Sequence, residues 1–255
     1  MLIMSLAYAQ RTDDNAWLAT HYAILRQWND YLIQDALIPA NQISTDDFAG
    51  ALANQTNLAL KGIIGIQAMA QIANRTGHVA DGLNFASIVQ SYIAQWQTLA
   101  LTSNTTNATA LPHTTLNYGN ESTYSLLYNL FADAELGLYL VPESIYAAQS
   151  AFYPSVASTY GVPLDTRHTY TKSDWEIFCA AVAENETRAL FVDDLAAYID
   201  QTPTNMPFGD LYDAVTGDYP ADSMFAARPV VGGEFAILAL NGAPTSGVVV
   251  PSSSD

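Results

Sequence analysis

Apolar residues along this chain recur mostly at spacings of three and four, and the pattern passes from one-sided to all-round and back. Between residues 16 and 32, Trp17, Ile24, Leu25, Trp28, Tyr31 and Leu32 describe one stripe, which predicts a helix with a buried face and a wet face. Between about residues 46 and 73, Leu58, Leu60, Ile63, Ile64, Ile66, Met69 and Ile72 fall on nearly all sides, with Gly62, Gly65 and Ala68 allowing close backbone approach. That helix is expected to be buried all round. One-sided periodicity returns over 85–101 through Phe85, Ile88, Val89, Tyr92, Ile93, Trp96 and Leu99. Shorter helical runs follow at 122–136, 142–152, 174–182, 187–199 and 229–240, and strand signals are scarce.

One-sided helices alternating with fully buried ones predict two layers, an all-α fold of the α/α toroid type built from helical hairpins. An irregular helical bundle would give much the same signal. Long loops at 103–120, 153–172 and 201–228 are where such a scaffold builds its sites. Residues from 242 onward, rich in Gly, Pro, Ser and Val, read as a flexible tail on a single domain covering 1–241. Residues 1–9 end in Ala-Tyr-Ala, which mimics a signal-peptidase site, but they lack a basic n-region and the length of an h-region. They read as part of a helix that buries Leu2, Ile3 and Leu6.

With 255 residues and 50% hydrophobic content, the chain can build a sizeable core. Only 8 Lys and Arg stand against 25 Asp and Glu, a formal charge of −17 that argues against nucleic acid and anionic membranes as partners. No run approaches the ~18–20 apolar residues of a membrane span. The one cysteine, Cys179, lies in an apolar run and reads as a small buried hydrophobe. Asn-x-Ser/Thr sequons occur at Asn54, Asn74, Asn104, Asn107, Asn120 and Asn185, against about two expected by chance. The excess points to a secreted, extracellular eukaryotic glycoprotein, with Asn104, Asn107, Asn120, Asn74 and Asn185 as the expected glycan sites.

The chemistry concentrates in Asp165-Thr-Arg-His-Thr-Tyr-Thr-Lys-Ser-Asp-Trp-Glu176, which places six ionisable side chains in twelve residues. Asp165 supplies a base, Arg167 a bidentate carboxylate binder, His168 a proton shuttle and Lys172 a second cation. A buried ion-pair knot that orders a loop would have the same composition. Ser173-x-x-Glu176 fits a capping box opening the next helix. Asp46 and Asp47 sit at another helix start, where capping competes with a general-base role. Asp210, Asp213 and Asp218 share a Gly- and Pro-broken loop without EF-hand spacing, so no metal is expected. Arg228 stands just before a Pro-initiated helix.

Four stretches, residues 44–65, 161–176, 203–213 and 227–233, read Ser-Thr-Asp-Asp-Phe…Lys-Gly-Ile-Ile-Gly, Gly-Val-Pro-Leu-Asp-Thr-Arg-His…Asp-Trp-Glu, Pro-Thr-Asn-Met-Pro-Phe-Gly-Asp-Leu-Tyr-Asp and Ala-Arg-Pro-Val-Val-Gly-Gly. They closely resemble the fungal glutaminase A family, over roughly residues 1–241. The resemblance implies a secreted amidohydrolase that converts L-glutamine to L-glutamate and ammonia on a six-helical-hairpin domain related to toroidal glycosidases. Family members carry a β-rich region and further hairpins before the point matching Met1, so the toroid is expected to be incomplete in this chain. Its complement would be the N-terminal region of the same protein or a second chain.

The resulting expectation is a carboxylate-activated water. Asp165 and Asp47 are the candidate bases and His168 or Lys172 would protonate departing ammonia. Arg167 and Arg228 would hold the small substrate's carboxylate, with Asp46, Trp175, Tyr170, Asp210 and Tyr212 completing the pocket. Asp165, Arg167 and Asp47 are expected to converge on one mouth. No metal or organic cofactor is required. The alternatives are a glycoside hydrolase that uses paired carboxylates with Trp175, Tyr170 or Tyr212 as stacking platforms, and a non-catalytic glycoprotein fragment.

Overall fold

A computed structural model describes residues 1–103, 111–221 and 223–241. The chain divides into two compact units, one formed by Met1–Ala100 with Ala132–Val141 and the other by Leu101–Phe131 with Pro142–Gly242. Both are helical, and among the described residues the only sheet is a two-stranded one.

The first unit is organised around α3 (Thr56–Arg75), against which α1 (Leu2–Thr12), α2 (Asn15–Asp35) and α4 (Val79–Ala100) pack. Leu60, Ile63, Ile64, Ile66, Met69 and Ile72 of α3 are completely buried, as all-round apolarity demands. Each such side chain contributes about 1.5–3 kcal/mol relative to exposure. The helix starts ten residues later than periodicity predicts. Gly50 at φ 82° and Asn54 at φ 57° take left-handed backbone, so residues 46–55 form only a short 3-10 turn, Asp47–Ala49, and a bridge from Leu52 to Gln42. α4 begins six residues early, two positions after the left-handed Gly77, and buries Phe85, Val89, Ile93, Trp96 and Ala100. The Trp96 indole donates to the Thr56 carbonyl at 3.0 Å, tying α4 to the first turn of α3. In α1, Leu2 and Leu6 are buried and Ile3 partly so.

The stripe expected on α2 is turned. Its buried residues are Leu18, Tyr22, Leu25 and Asn29, whereas Ile24, Trp28 and Tyr31 are 40%, 38% and 58% exposed. The buried face is decided by what it meets: the Tyr22 ring stacks on His78 and its hydroxyl donates to Asp81 at 2.8 Å. Apolarity alone chose the aromatic-rich face, which packing leaves outside.

The helix expected at 122–136 shrinks to α5 (Leu130–Glu135). Upstream of it Leu126 N–H donates to Leu164 O and Leu127 N–H to the Tyr153 hydroxyl, so these backbone groups are satisfied without a helix. The second unit continues with α6 (Glu143–Phe152), β1 (Tyr170–Lys172), α7 (Ser173–Val182), α8 (Asn185–Gln201), β2 (Leu211–Asp213) and α9 (Ala236–Asn241). β1 and β2 are antiparallel, with Tyr170 opposite Asp213, Thr171 opposite Tyr212 and Lys172 opposite Leu211. The helix expected over 229–240 is a 3-10 segment, Pro229–Phe235, followed by α9.

Ser173 and Glu176 do not form a capping box. Lys172 is still extended strand, Ser173 is the first helical residue, and its N–H donates to the Asp210 carbonyl at 2.9 Å. Pairing of β1 with β2 has already satisfied the amide that a cap would take.

α2 and α3 approach closely at Gly62, where a Cβ would lie 2.5 Å from the Ala36 Cβ. Gly62→Ala is expected to lower stability by about 1–3 kcal/mol through overpacking. Gly232→Ala, whose Cβ meets nothing within 4 Å, should stay within about 0.5 kcal/mol. Chemical denaturation of both variants checks this, and equal effects would show that α2 gives way at Gly62.

Candidate active site

The strand-to-helix junction at residue 172 sets the chemistry of the second unit. Because β1 runs straight into α7, the Lys172 ammonium is carried inward and is almost completely buried. It lies 2.8 Å from Asp174 Oδ1, 2.9 Å from Asp174 Oδ2 and 3.5 Å from Asp210 Oδ2. It also sits 4.4 Å above the Trp175 ring, which stacks on Tyr128. Asp210 is fully buried and is held bidentately by Arg228, Nε to Oδ1 at 2.9 Å and Nη2 to Oδ2 at 2.6 Å. Arg228 in turn lies 3.9 Å over the Phe225 ring and remains about a third exposed. The residue before it, Ala227, is left-handed at φ 52°, a strain of order 1 kcal/mol that local packing maintains.

The 3-10 segment after Arg228 lies directly on the first turn of α7. A Cβ on Gly233 would be 2.7 Å from Asp174 Cβ, so only glycine permits this approach. It brings Glu234 beside the cluster, a residue that motif reading passed over. Burial raises the Glu234 carboxyl above its usual range. The facing Ser173 hydroxyl opposes this, and the negative Asp174 and Asp210 add to it. Ser173 Oγ stops short of hydrogen-bond geometry, and both it and Glu234 Oε1 are buried without a hydrogen-bond partner. Three carboxyls thus share two cations, and Glu234 is the one without a cation of its own. The only sequence hint was its place in the 227–234 segment. Asp174 is likewise raised by burial, offset by Lys172.

Asp165 is buried and saturated. Arg167 donates from its backbone N–H at 2.8 Å and from Nε and Nη2 at 3.0 and 2.6 Å, and His168 Nδ1 lies 3.8 Å away. His168 stacks on Tyr170. Tyr212 is fully buried and stacks on Tyr198. Asp46 and Asp47 belong to the first unit. Asp46 is nearly buried, and exposed Asp47 accepts from the Phe48 N–H at 2.9 Å. Asn74, Asn120 and Asn185 are exposed, Asn54 is half-buried, and Asn104 and Asn107 lie outside the described residues.

Glu176 has a structural task. Val162 N–H donates to Oε1 at 2.7 Å and Tyr212 Oη contacts Oε2, while Tyr212 Oη also reaches the Tyr160 carbonyl at 2.9 Å. Gly161, at φ 146°, makes room, since a Cβ there would be 2.3 Å from Oε1. Tyr212 has one hydrogen for two acceptors. A protonated Glu176 resolves this by donating to Tyr212 Oη, which frees the phenol to donate to Tyr160 O. Complete burial holds the Glu176 carboxyl well above its usual range, in agreement.

Below the ordinary glutamate range, about 4.3, Glu176 is protonated in the folded and unfolded chain and its contribution is complete. As pH rises the unfolded chain ionises first, and stability is lost up to the raised folded value. Glu176→Gln reproduces both bonds without a titrating group. Its melting temperature should match the parent near pH 4 and exceed it increasingly toward pH 8; a difference independent of pH would mean that Glu176 is ionised in the fold.

Residues 1–238 match the family model described as the glutaminase A six helical-hairpin domain. The chain is 60% identical over 240 residues to Glutaminase A of Aspergillus oryzae, covering 94% of this chain and 34% of that protein. It is 39% identical over 264 residues to a protein named "Probable glutaminase" from Arthroderma benhamiae, covering 91% of this chain and 30% of that one. The chain therefore spans about a third of the length of the curated relatives it matches. With helices throughout and one minimal sheet among its described residues, it belongs to the glutaminase A six helical-hairpin domain family.

Proposed function

We propose that this chain forms part of a secreted glutaminase that hydrolyses the side-chain amide of L-glutamine, with Glu234 as the base. The observation that carries the reading is Glu234 itself, a half-buried carboxyl with raised affinity for protons, set against a cluster of two cations and two carboxylates. That environment suits a group that must take a proton and return it. Ionised Glu234 removes a proton from water as the oxygen attacks the amide carbon. When the C–N bond breaks, the same carboxyl passes its proton to the departing ammonia. Arg228, partly exposed and aimed by its bonds to Asp210, meets the substrate's α-carboxylate, and Lys172 holds Asp174 and Asp210 in place behind it. Asp165, with both oxygens taken by Arg167, orders the 165–172 loop in this scheme and is not the base. Secretion and glycosylation belong to the same proposal, supported by the exposed sequons Asn74, Asn120 and Asn185.

The test is ammonia release from L-glutamine by the full-length protein, beside a panel of aryl glycosides. Glu234→Gln should lower kcat roughly 10²–10⁴-fold. It should also remove an acid limb of the pH–rate profile lying above the ordinary glutamate range. Asp165→Asn should lower thermal stability more than it lowers kcat in the folded fraction. Full activity in Glu234→Gln rejects the assignment, and turnover of glycosides without ammonia release rejects the reaction.

A further inference from the structure

Two buried oxygens face each other across the contact between α7 and the 3-10 segment Pro229–Phe235. Ser173, the first residue of α7, is completely buried, and its backbone N–H is already committed to the Asp210 carbonyl. Its hydroxyl is not committed. Among the described residues neither Ser173 Oγ nor Glu234 Oε1 has a hydrogen-bond partner. Leaving either unmatched in the protein interior is unfavourable, and each is what the other lacks, since a hydroxyl has a proton to give and an ionised carboxylate only accepts.

The backbone keeps the pair in register. Gly233 rests on the first turn of α7, where a Cβ would lie 2.7 Å from Asp174 Cβ and 3.2 Å from Phe178 Cε1, so its neighbour Glu234 is held beside Ser173. The other polar groups around Glu234 are engaged elsewhere or repel it. Lys172 pairs with Asp174 and Asp210, and Arg228 pairs with Asp210. The Tyr198 phenol of α8, which feels the Glu234 charge, donates its single hydrogen to the Gly209 carbonyl at 2.9 Å. Asp174 and Asp210 oppose ionisation of Glu234. Ser173 is the neighbouring hydroxyl with a hydrogen to offer.

We propose that Ser173 is the positioning residue for Glu234: its hydroxyl donates to Oε1, which fixes the carboxylate plane and leaves the other oxygen to take the proton from water and return it to ammonia. This role rests on the assignment of Glu234 as the base. The bond closes as substrate orders the site. It persists through the cycle, because Oε1 still accepts from Ser173 when the other oxygen carries the proton. A donor on Oε1 also favours the ionised form and so offsets the repulsion from Asp174 and Asp210.

Ser173→Ala in the full-length protein tests this, since alanine removes the hydroxyl and keeps the N–H bond to Asp210. Circular dichroism and melting temperature check that the variant is folded. The acid limb of kcat/KM for glutamine hydrolysis should move upward by about one pH unit, because the ionised base loses its donor. On the plateau kcat should fall about tenfold with KM little changed. Ser173→Thr, which keeps the hydroxyl, should return the limb to its parent position. Added to Glu234→Gln, Ser173→Ala should cause no further loss. A serine with only a structural task would lower the melting temperature and leave the limb in place. An unmoved limb in Ser173→Ala, a limb still displaced in folded Ser173→Thr, or a further loss on top of Glu234→Gln each overturns the positioning role and leaves the base assigned. Full activity in Glu234→Gln removes the base and the positioning role together.

Discussion

A lysine ammonium drawn out of water must be met by negative charge, and in the second unit Lys172 is drawn in where a strand becomes a helix. Much of that unit's polar organisation follows from the requirement. The pairing of β1 with β2 fixes residue 172 at the helix entrance, Asp174 comes from the first turn of α7, and Asp210 from the residue before β2. Two buried carboxylates for one ammonium leave an excess, which Arg228 balances from the far side of Asp210. Removing a single partner from such a knot strands a buried charge at a cost of about 3–5 kcal/mol. The 3-10 segment carrying Glu234 can approach only because Gly233 has no side chain to collide with Asp174.

The carboxyls nearby illustrate how environment assigns roles to one chemical group. Asp165 and Asp210 each have a guanidinium in bidentate contact and are committed as acceptors. Glu176 has no cation, is sealed from water, and satisfies its surroundings best as a neutral acid in a chain running to Tyr212 and Tyr160. Glu234 lies between these cases, raised by burial and neighbouring carboxylates yet only half-covered. It combines a raised proton affinity with partial exposure.

In the first unit, close packing without side chains does two jobs. Gly62 and Gly65 let α2 and α3 approach until Ala36 and Leu32 touch backbone, completing the burial of α3. The same contact borders a cavity at its edge, lined by Asp35 and Lys61 among others.

Periodicity in the sequence was enough to establish that the chain is helical, that α3 is buried on all sides and that strand is almost absent, because these depend on apolar spacing within one turn or two. The motifs around residues 165–176, 203–213 and 227–233 were equally legible, and they carried the family. Which face of α2 turns inward was not legible, since Trp28 and Leu25 are both apolar and only the position of α3 and His78 separates them. The Ser173-x-x-Glu176 pattern misled because a strand pair, 38 positions from Lys172 to Asp210, supplies what a cap would otherwise supply. Glu234 stayed invisible for the same reason. Its proton affinity is set by burial and by Asp174 and Asp210, and neither desolvation nor the field of distant carboxylates exists until the chain has folded.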